Sequence, residues 1–142
     1  MTRTLAAILA LGFAAPAFAD GHLIGDVAEG EKQFNKCKAC HMIQSDDGTD
    51  IVKGGKTGPN LYGVMGRTAG TADFKYGDSL VSAGAAGLVW DQENLAEYIT
   101  DPAAFLKTYL DDSKAKSRMA YKMRRNAEDV AAYLFSVAPA ES

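Results

Sequence analysis

Apolar residues return every three or four positions in several stretches of this chain, and helix-starting or helix-stopping residues bound each stretch. The last is the clearest, with Val130, Tyr133, Leu134 and Val137 at i, i+3, i+4 and i+7. Asn126 stands as its N-cap, and Glu128 and Asp129 occupy the first turn, where the helix dipole favours negative charge. Upstream, Asp91 caps a helix whose Leu95, Tyr98 and Ile99 share a face, and Pro102 stops it. Asp101-Pro102 then opens the next helix, because proline at the first helical position gives up no needed hydrogen bond; Phe105, Leu106, Tyr109 and Leu110 make its apolar side. The first helix starts near Asp26 and runs through Val27, Gln33 and Phe34 towards Cys37 and His41.

Between Gln44 and Gly87 the periodicity fades into Gly, Asp, Thr and Ser, apart from a short apolar segment around Leu80 and Val81. This region reads as ordered loops. No strand alternation is visible, so the fold class is all-α, four or five helices with long loops. So long an irregular stretch in one domain requires something in its midst to supply the missing core.

The chain begins with a different pattern. Arg3 precedes an apolar run from Leu5 to Ala15, and Ala17-Phe18-Ala19 closes it with small residues at the outer positions. Residues 1–19 read as a secretory signal peptide cleaved between Ala19 and Asp20, which places the mature protein in the periplasm. A membrane anchor would need roughly 20 apolar residues, and Pro16 and Asp20 interrupt this run. Residues 20–142 have the length of one ordinary domain. The whole chain has 15 Lys and Arg against 18 Asp and Glu, and loss of Arg3 with the leader makes the balance more acidic still. That argues against nucleic acid as a partner.

Two cysteines in an exported chain would ordinarily form a disulfide. Here they stand as Cys37-Lys38-Ala39-Cys40, and a bridge across two intervening residues closes too small a loop to stabilise much. His41 follows at once, completing the C-x-x-C-H haem attachment signature. Two thiols on one helical turn can add to the two vinyl groups of a single porphyrin edge, and the next residue offers its imidazole to the iron. A thioredoxin-like motif would want a βαβ context, and a zinc site four ligands, where the sequence adds only His22.

A second axial ligand separates electron transfer from ligand chemistry, since an iron with six protein-supplied bonds has no open position. His22, Met42, Met65, Met119 and Met123 are available in the mature chain. Met42 adjoins His41 and cannot cross to the other ring face. His22 sits near a terminus. Met119 lies in the polar loop Ser117-Arg118-Met119-Ala120-Tyr121, where a core-filling role is less natural than on an apolar helix face, and Met123 is four residues further on.

Several further stretches occur in a fixed order: Thr57-Gly58-Pro59-Asn60-Leu61-Tyr62-Gly63, Gly66-Arg67-Thr68, Trp90, Tyr98 with Pro102, Ser117 to Tyr121, and Ala132-Tyr133-Leu134. With the haem signature they make residues 25–138 resemble the mitochondrial-type (class I) cytochromes c, most closely the bacterial cytochromes c2. The resemblance implies the cytochrome c fold around one covalent haem c. It implies that the Pro59 carbonyl accepts the His41 Nδ1 proton, that Met119 is the sixth iron ligand with Tyr98 hydrogen-bonding near its sulfur, and that Arg67, Tyr76 and Trp90 hold the propionates. Phe34 and Gly30 would meet Tyr133 and Leu134 where the terminal helices cross. The loops at residues 46–56 and 110–116 are longer than in the mitochondrial proteins.

A His/Met pair favours ferrous iron and a relatively high potential. The expected function is therefore one-electron carriage by a soluble monomer, from a cytochrome bc complex to a photosynthetic reaction centre, a terminal oxidase or both. The rival class is an open-site haem enzyme or gas-binding cytochrome. Seven basic residues lie between Lys107 and Arg125 (Lys107, Lys114, Lys116, Arg118, Lys122, Arg124, Arg125) against Asp111 and Asp112. With Lys36, Lys38, Lys53 and Lys56 they suggest a positive face around the haem edge, steering an acidic protein to acidic docking sites.

Overall fold

Asp26 has extended backbone, and its side chain accepts the Glu29 N–H at 2.8 Å, which starts helix α1 (Val27–Gln33). A computed structural model of the protein describes residues 23–137; the expected signal peptide, its cleavage point and His22 lie outside the described residues. Beyond Gln33 the chain tightens into a 3₁₀ turn (Phe34–Lys36), so the Cys37–His41 segment follows the helix in tight turns rather than continuing it.

A short antiparallel hairpin follows, β1 (Ile43–Gln44) with β2 (Asp50–Val52), Ile43 facing Val52. Strands of two and three residues are too short to show an alternating pattern, so they leave no mark on the hydrophobic periodicity. The turn between them uses Gly48 at φ +85°, and the Ser45 N–H donates to the Thr49 carbonyl. A second departure from expectation is α2 (Asp78–Ala85), a full helix where only a short apolar segment was legible. Its N-cap, Gly77, has no side chain to signal a start, and of its residues only Ala83 and Gly84 are buried.

The remaining helices form where the periodicity placed them: α3 (Gln92–Thr100), α4 (Pro102–Leu110) and α5 (Ala127–Ser136). Asp91 and Asn94 cap each other reciprocally at α3, and Asp101 accepts the Ala104 N–H at 3.1 Å to cap α4. In α4 the expected apolar side divides. Leu106 is fully buried and Phe105 and Leu110 are half-buried, but Tyr109 is exposed. The all-α class holds, with five α-helices among the described residues and one small hairpin.

α5 packs against both α1 and α3, and α4 against α3 and α2. At the α1/α5 crossing a Cβ on Gly30 would overlap the Asp129 carbonyl and stand 2.8 Å from Tyr133 Cβ, so only glycine allows the approach. Phe34 and Tyr133 pack beside it, ring centroids 5.7 Å apart and planes tilted by 57°. The crossing carries its own clasp: Asp129 accepts the Asp26 N–H at 2.8 Å on one oxygen and the Asn126 side-chain amide at 2.9 Å on the other. Asn126 occupies the N-cap place of α5 as its sequence suggests, but in left-handed conformation (φ 62°), and its side chain serves Asp129 instead of a helix N–H.

The Asp26 N–H and the Asn126 amide hold the Asp129 carboxyl below its usual range. A depressed carboxylate pKa contributes stability above the ordinary carboxylate range and loses it as pH falls through the folded value. Asp129→Ala should therefore lower stability at neutral pH by no more than about 1 kcal/mol, because water reaches the site. Thermal melts of both proteins from pH 7 downward should converge in acid.

Candidate functional site

The helices and loops leave a cavity of about 600 Å³ in their midst, lined mainly by apolar atoms. Leu95, Ile99, Val130 and Leu134 come from α3 and α5, and Cys37, Cys40 and His41 from the turns after α1. Those turns are held by Cys37 N–H to the Phe34 carbonyl at 2.8 Å and by Cys40 and His41 N–H to the Cys37 carbonyl at 3.1 and 3.0 Å. They set both thiols on the cavity wall.

Residues 54–59 pass against the back of this segment. The Gly55 N–H donates to the Lys38 carbonyl at 2.9 Å and the Gly58 N–H to the Cys40 carbonyl at 2.8 Å. A Cβ on Gly58 would run into the His41 ring, 2.7 Å from Nδ1, so the close passage needs glycine. His41 Nδ1 lies 2.8 Å from the Pro59 carbonyl. A carbonyl only accepts, so Nδ1 carries the proton and Nε2 keeps its lone pair free. Burial pushes the His41 pKa down more than the Pro59 carbonyl lifts it. The ring is thus neutral and directed, the form in which imidazole binds a metal. Burial also pushes the Cys37 thiol up to about 11, with Lys36 opposing, so this is no thiolate nucleophile.

The loop at 116–123 supplies another wall. Met119 and Met123 both line the cavity, whereas Met42 and Met65 do not. Met119 is half-buried, and its N–H donates to Ser117 Oγ at 3.1 Å; the Tyr98 hydroxyl meets the same oxygen at 3.4 Å. Ser117 is thus the group that ties Tyr98 to the methionine loop. Met123 is 3% exposed and its N–H is committed to the Ile99 carbonyl at 2.8 Å, which makes it part of the packed core. The Lys116 N–H donates to Ser79 Oγ, Arg118 Nη1 to the Lys75 carbonyl, and Lys122 pairs with Asp101 at 2.7 Å. The loop is fastened on both sides.

Arg67, Tyr76 and Trp90 also reach the cavity. Arg67 Nη2 donates to the Tyr62 carbonyl at 2.8 Å, and both terminal nitrogens lie 3.4 Å from the Asn60 carbonyl, so the side chain is fixed and part of its donor capacity is already in use. Thr57, Phe74 and Leu80 line the cavity too; Thr57 belongs to a matched stretch and Leu80 to the short apolar segment, but nothing in the local sequence marks Phe74. Of the basic residues expected to form a positive face, Lys36, Lys116 and Arg118 border the cavity. Lys38 and Lys53 border a separate shallow hollow beside Tyr133. Among the described residues no group of three His, Cys, Asp or Glu could hold a metal ion, and no helix is long and apolar enough to cross a membrane.

Two thiols, a neutral directed imidazole and a thioether around one apolar cavity fit a covalent haem c and its iron. The family model described as cytochrome c matches residues 27–138. Cytochrome c-551 of Roseobacter denitrificans is 67% identical over the whole of both chains, and cytochrome c2 of Rhodobacter capsulatus 62% identical over 96% of this chain and 97% of its own. The solved structure of the Rhodobacter capsulatus cytochrome c2 superposes with a TM-score of 0.79 at 64% identity, covering 80% of this chain and 98% of that one. Ferric cytochrome c-550 of Paracoccus versutus also gives 0.79, at 52% identity, covering 81% and 99%.

Proposed function

The chain belongs to the cytochrome c family and is a one-electron carrier with a single covalently bound haem c, not an enzyme, and on that premise we propose how its residues divide the work. The haem, when bound, supplies a reversible one-electron change at its iron. Cys37 and Cys40 tether it by thioether bonds, so an exported protein keeps its cofactor without relying on affinity. His41 would hold the iron through Nε2, with the Pro59 carbonyl fixing the ring and raising its donor strength. Met119 would bind the iron through its sulfur, and Ser117 and Tyr98 set the loop that carries it. The soft sulfur and the apolar walls both disfavour the additional charge of the ferric state. Arg67, Tyr76 and Trp90 would receive the propionates.

The observation that supports this reading is the meeting of Cys37, Cys40, His41 and Met119 on one mostly apolar cavity. A closed iron admits no small ligand, so carbon monoxide added to the reduced protein at neutral pH should leave its visible spectrum unchanged. Rapid binding would show that Met119 does not hold the iron.

The carrier works in the periplasm, released there by cleavage of residues 1–19, and takes electrons from a cytochrome bc complex to a photosynthetic reaction centre, a terminal oxidase or both. Basic side chains at the cavity rim, Lys36, Lys116 and Arg118 among them, steer it to acidic surfaces. The second-order rate with an isolated acceptor complex should fall as ionic strength rises, because salt screens that attraction. A flat salt profile would remove the steering role.

A further inference from the structure

Four aromatic rings form a continuous array from the cavity wall to the surface. Trp90 and Tyr98 line the cavity, are 6% and 7% exposed, and have ring centroids 5.0 Å apart. Phe105 touches both, edge-on to Tyr98 at 5.7 Å and tilted against Trp90 at 6.2 Å. Tyr109, one turn further along α4, stacks on Phe105 at 5.8 Å with the planes only 15° apart, and is 39% exposed. Carrying a hydrogen-bonding phenol to the surface is not needed for packing, since Leu106 already provides the buried contact of this helix.

We propose that Trp90, Tyr98, Phe105 and Tyr109 form an outlet through which an oxidising equivalent stranded in the cavity leaves the protein at the Tyr109 phenol. The direction follows from where a proton can go. Tyr98 is buried and its hydroxyl meets only the neutral Ser117 oxygen, so a Tyr98 that loses an electron has no base to take its proton. Tyr109 faces water, which accepts the proton at once. Loss of an electron is therefore easier at Tyr109 than at Tyr98. Phe105 is too hard to oxidise to hold the charge itself; it bridges the gap across which the electron passes from Tyr109 inward.

This rests on the proposed placement of the haem in the cavity, and the oxidant is hydrogen peroxide, reaching the iron in the small fraction of molecules whose Met119 has let go. Overall, two Tyr109 phenols each give up one electron and one proton, the peroxide O–O bond breaks to yield two waters, and the two rings join by one carbon–carbon bond. A covalent dimer linked through Tyr109 thus records the path.

The test treats the ferric holoprotein with hydrogen peroxide and reads tyrosyl radical by electron paramagnetic resonance, covalent dimer on denaturing gels, and the linked residue by peptide mass spectrometry. The parent protein should dimerise through Tyr109, and Tyr109→Phe should lose the dimer with its visible spectrum unchanged. Phe105→Leu leaves Tyr109 exposed but removes the bridging ring; it should lose the Tyr109-linked dimer and show more haem bleaching. Phe105→Tyr, which keeps a ring there, should retain dimer formation. An unaltered Tyr109 dimer in Phe105→Leu would mean direct attack from solvent and overturn the proposal. So would linkage of the parent protein through Tyr121, which lines the cavity and is 42% exposed. A protein that binds no haem, or loses it to acid acetone, would instead refute the haem assignment, a distinct failure visible before peroxide is added.

Discussion

Met119→Ala is expected to abolish the weak far-red band that a methionine sulfur bonded to ferric haem iron produces, and to make the reduced protein bind carbon monoxide at neutral pH. Alanine has no donor atom, and the fastened loop hinders a neighbour from moving into the place. The Lys116 N–H is held by Ser79, Arg118 by the Lys75 carbonyl, and Lys122 by Asp101. The potential should fall, because a thioether stabilises ferrous iron better than water does. Met123→Ala separates the two methionines. Truncating a side chain only 3% exposed should cost about 2–5 kcal/mol of stability while leaving the far-red band in place. If the band instead vanished in Met123→Ala and survived in Met119→Ala, the axial assignment would pass to Met123.

The second large effect belongs to Gly30. Helix propensity alone predicts that Gly30→Ala should stabilise α1 by about 1 kcal/mol. The crossing predicts the opposite, since the new methyl would overlap the Asp129 backbone carbonyl, and no side-chain rotation can relieve a clash with backbone. α1 must then move away from α5, opening the contact that also holds Phe34 on Tyr133. We expect a net loss of about 2–3 kcal/mol, seen as a fall in melting temperature of roughly 10 °C. Gly48→Ala is the control. Gly48 has positive φ but open space around it, so only local backbone strain of about 1 kcal/mol should appear.

How far the sequence revealed this molecule depended on how local each signal was. α3, α4 and α5 were legible because their apolar residues recur at helical spacing and Asp91, Asp101 and Asn126 mark their starts. The haem signature was legible because all its groups lie within five consecutive residues. α2 was not, because its cap is a glycine and its buried residues are Ala83 and Gly84, too small to raise a periodic signal. The hairpin was too brief to alternate. Tyr109 sits on an apolar stripe by spacing yet faces water, since which part of a stripe is covered depends on where α3 and α2 lie. The cavity itself is assembled from segments as far apart as Phe34 and Leu134, and periodicity within one segment says nothing of it. The matched stretches through Tyr121, not spacing, pointed to Met119, and only the coordinates assign Ser117 its tie to both Tyr98 and Met119.

The double fastening of the 116–123 loop bears on speed. A centre that changes charge is slowed by whatever its surroundings must rearrange, and here the residues flanking Met119 are tied down: Met123 to Ile99 of α3, Lys116 to Ser79 and Arg118 to Lys75. Polar groups that would swing to follow the charge are scarce along Leu95, Ile99, Val130 and Leu134. A framework fastened in this way should keep nearly one shape before and after each transfer, so a small reorganisation and fast exchange are the expected result.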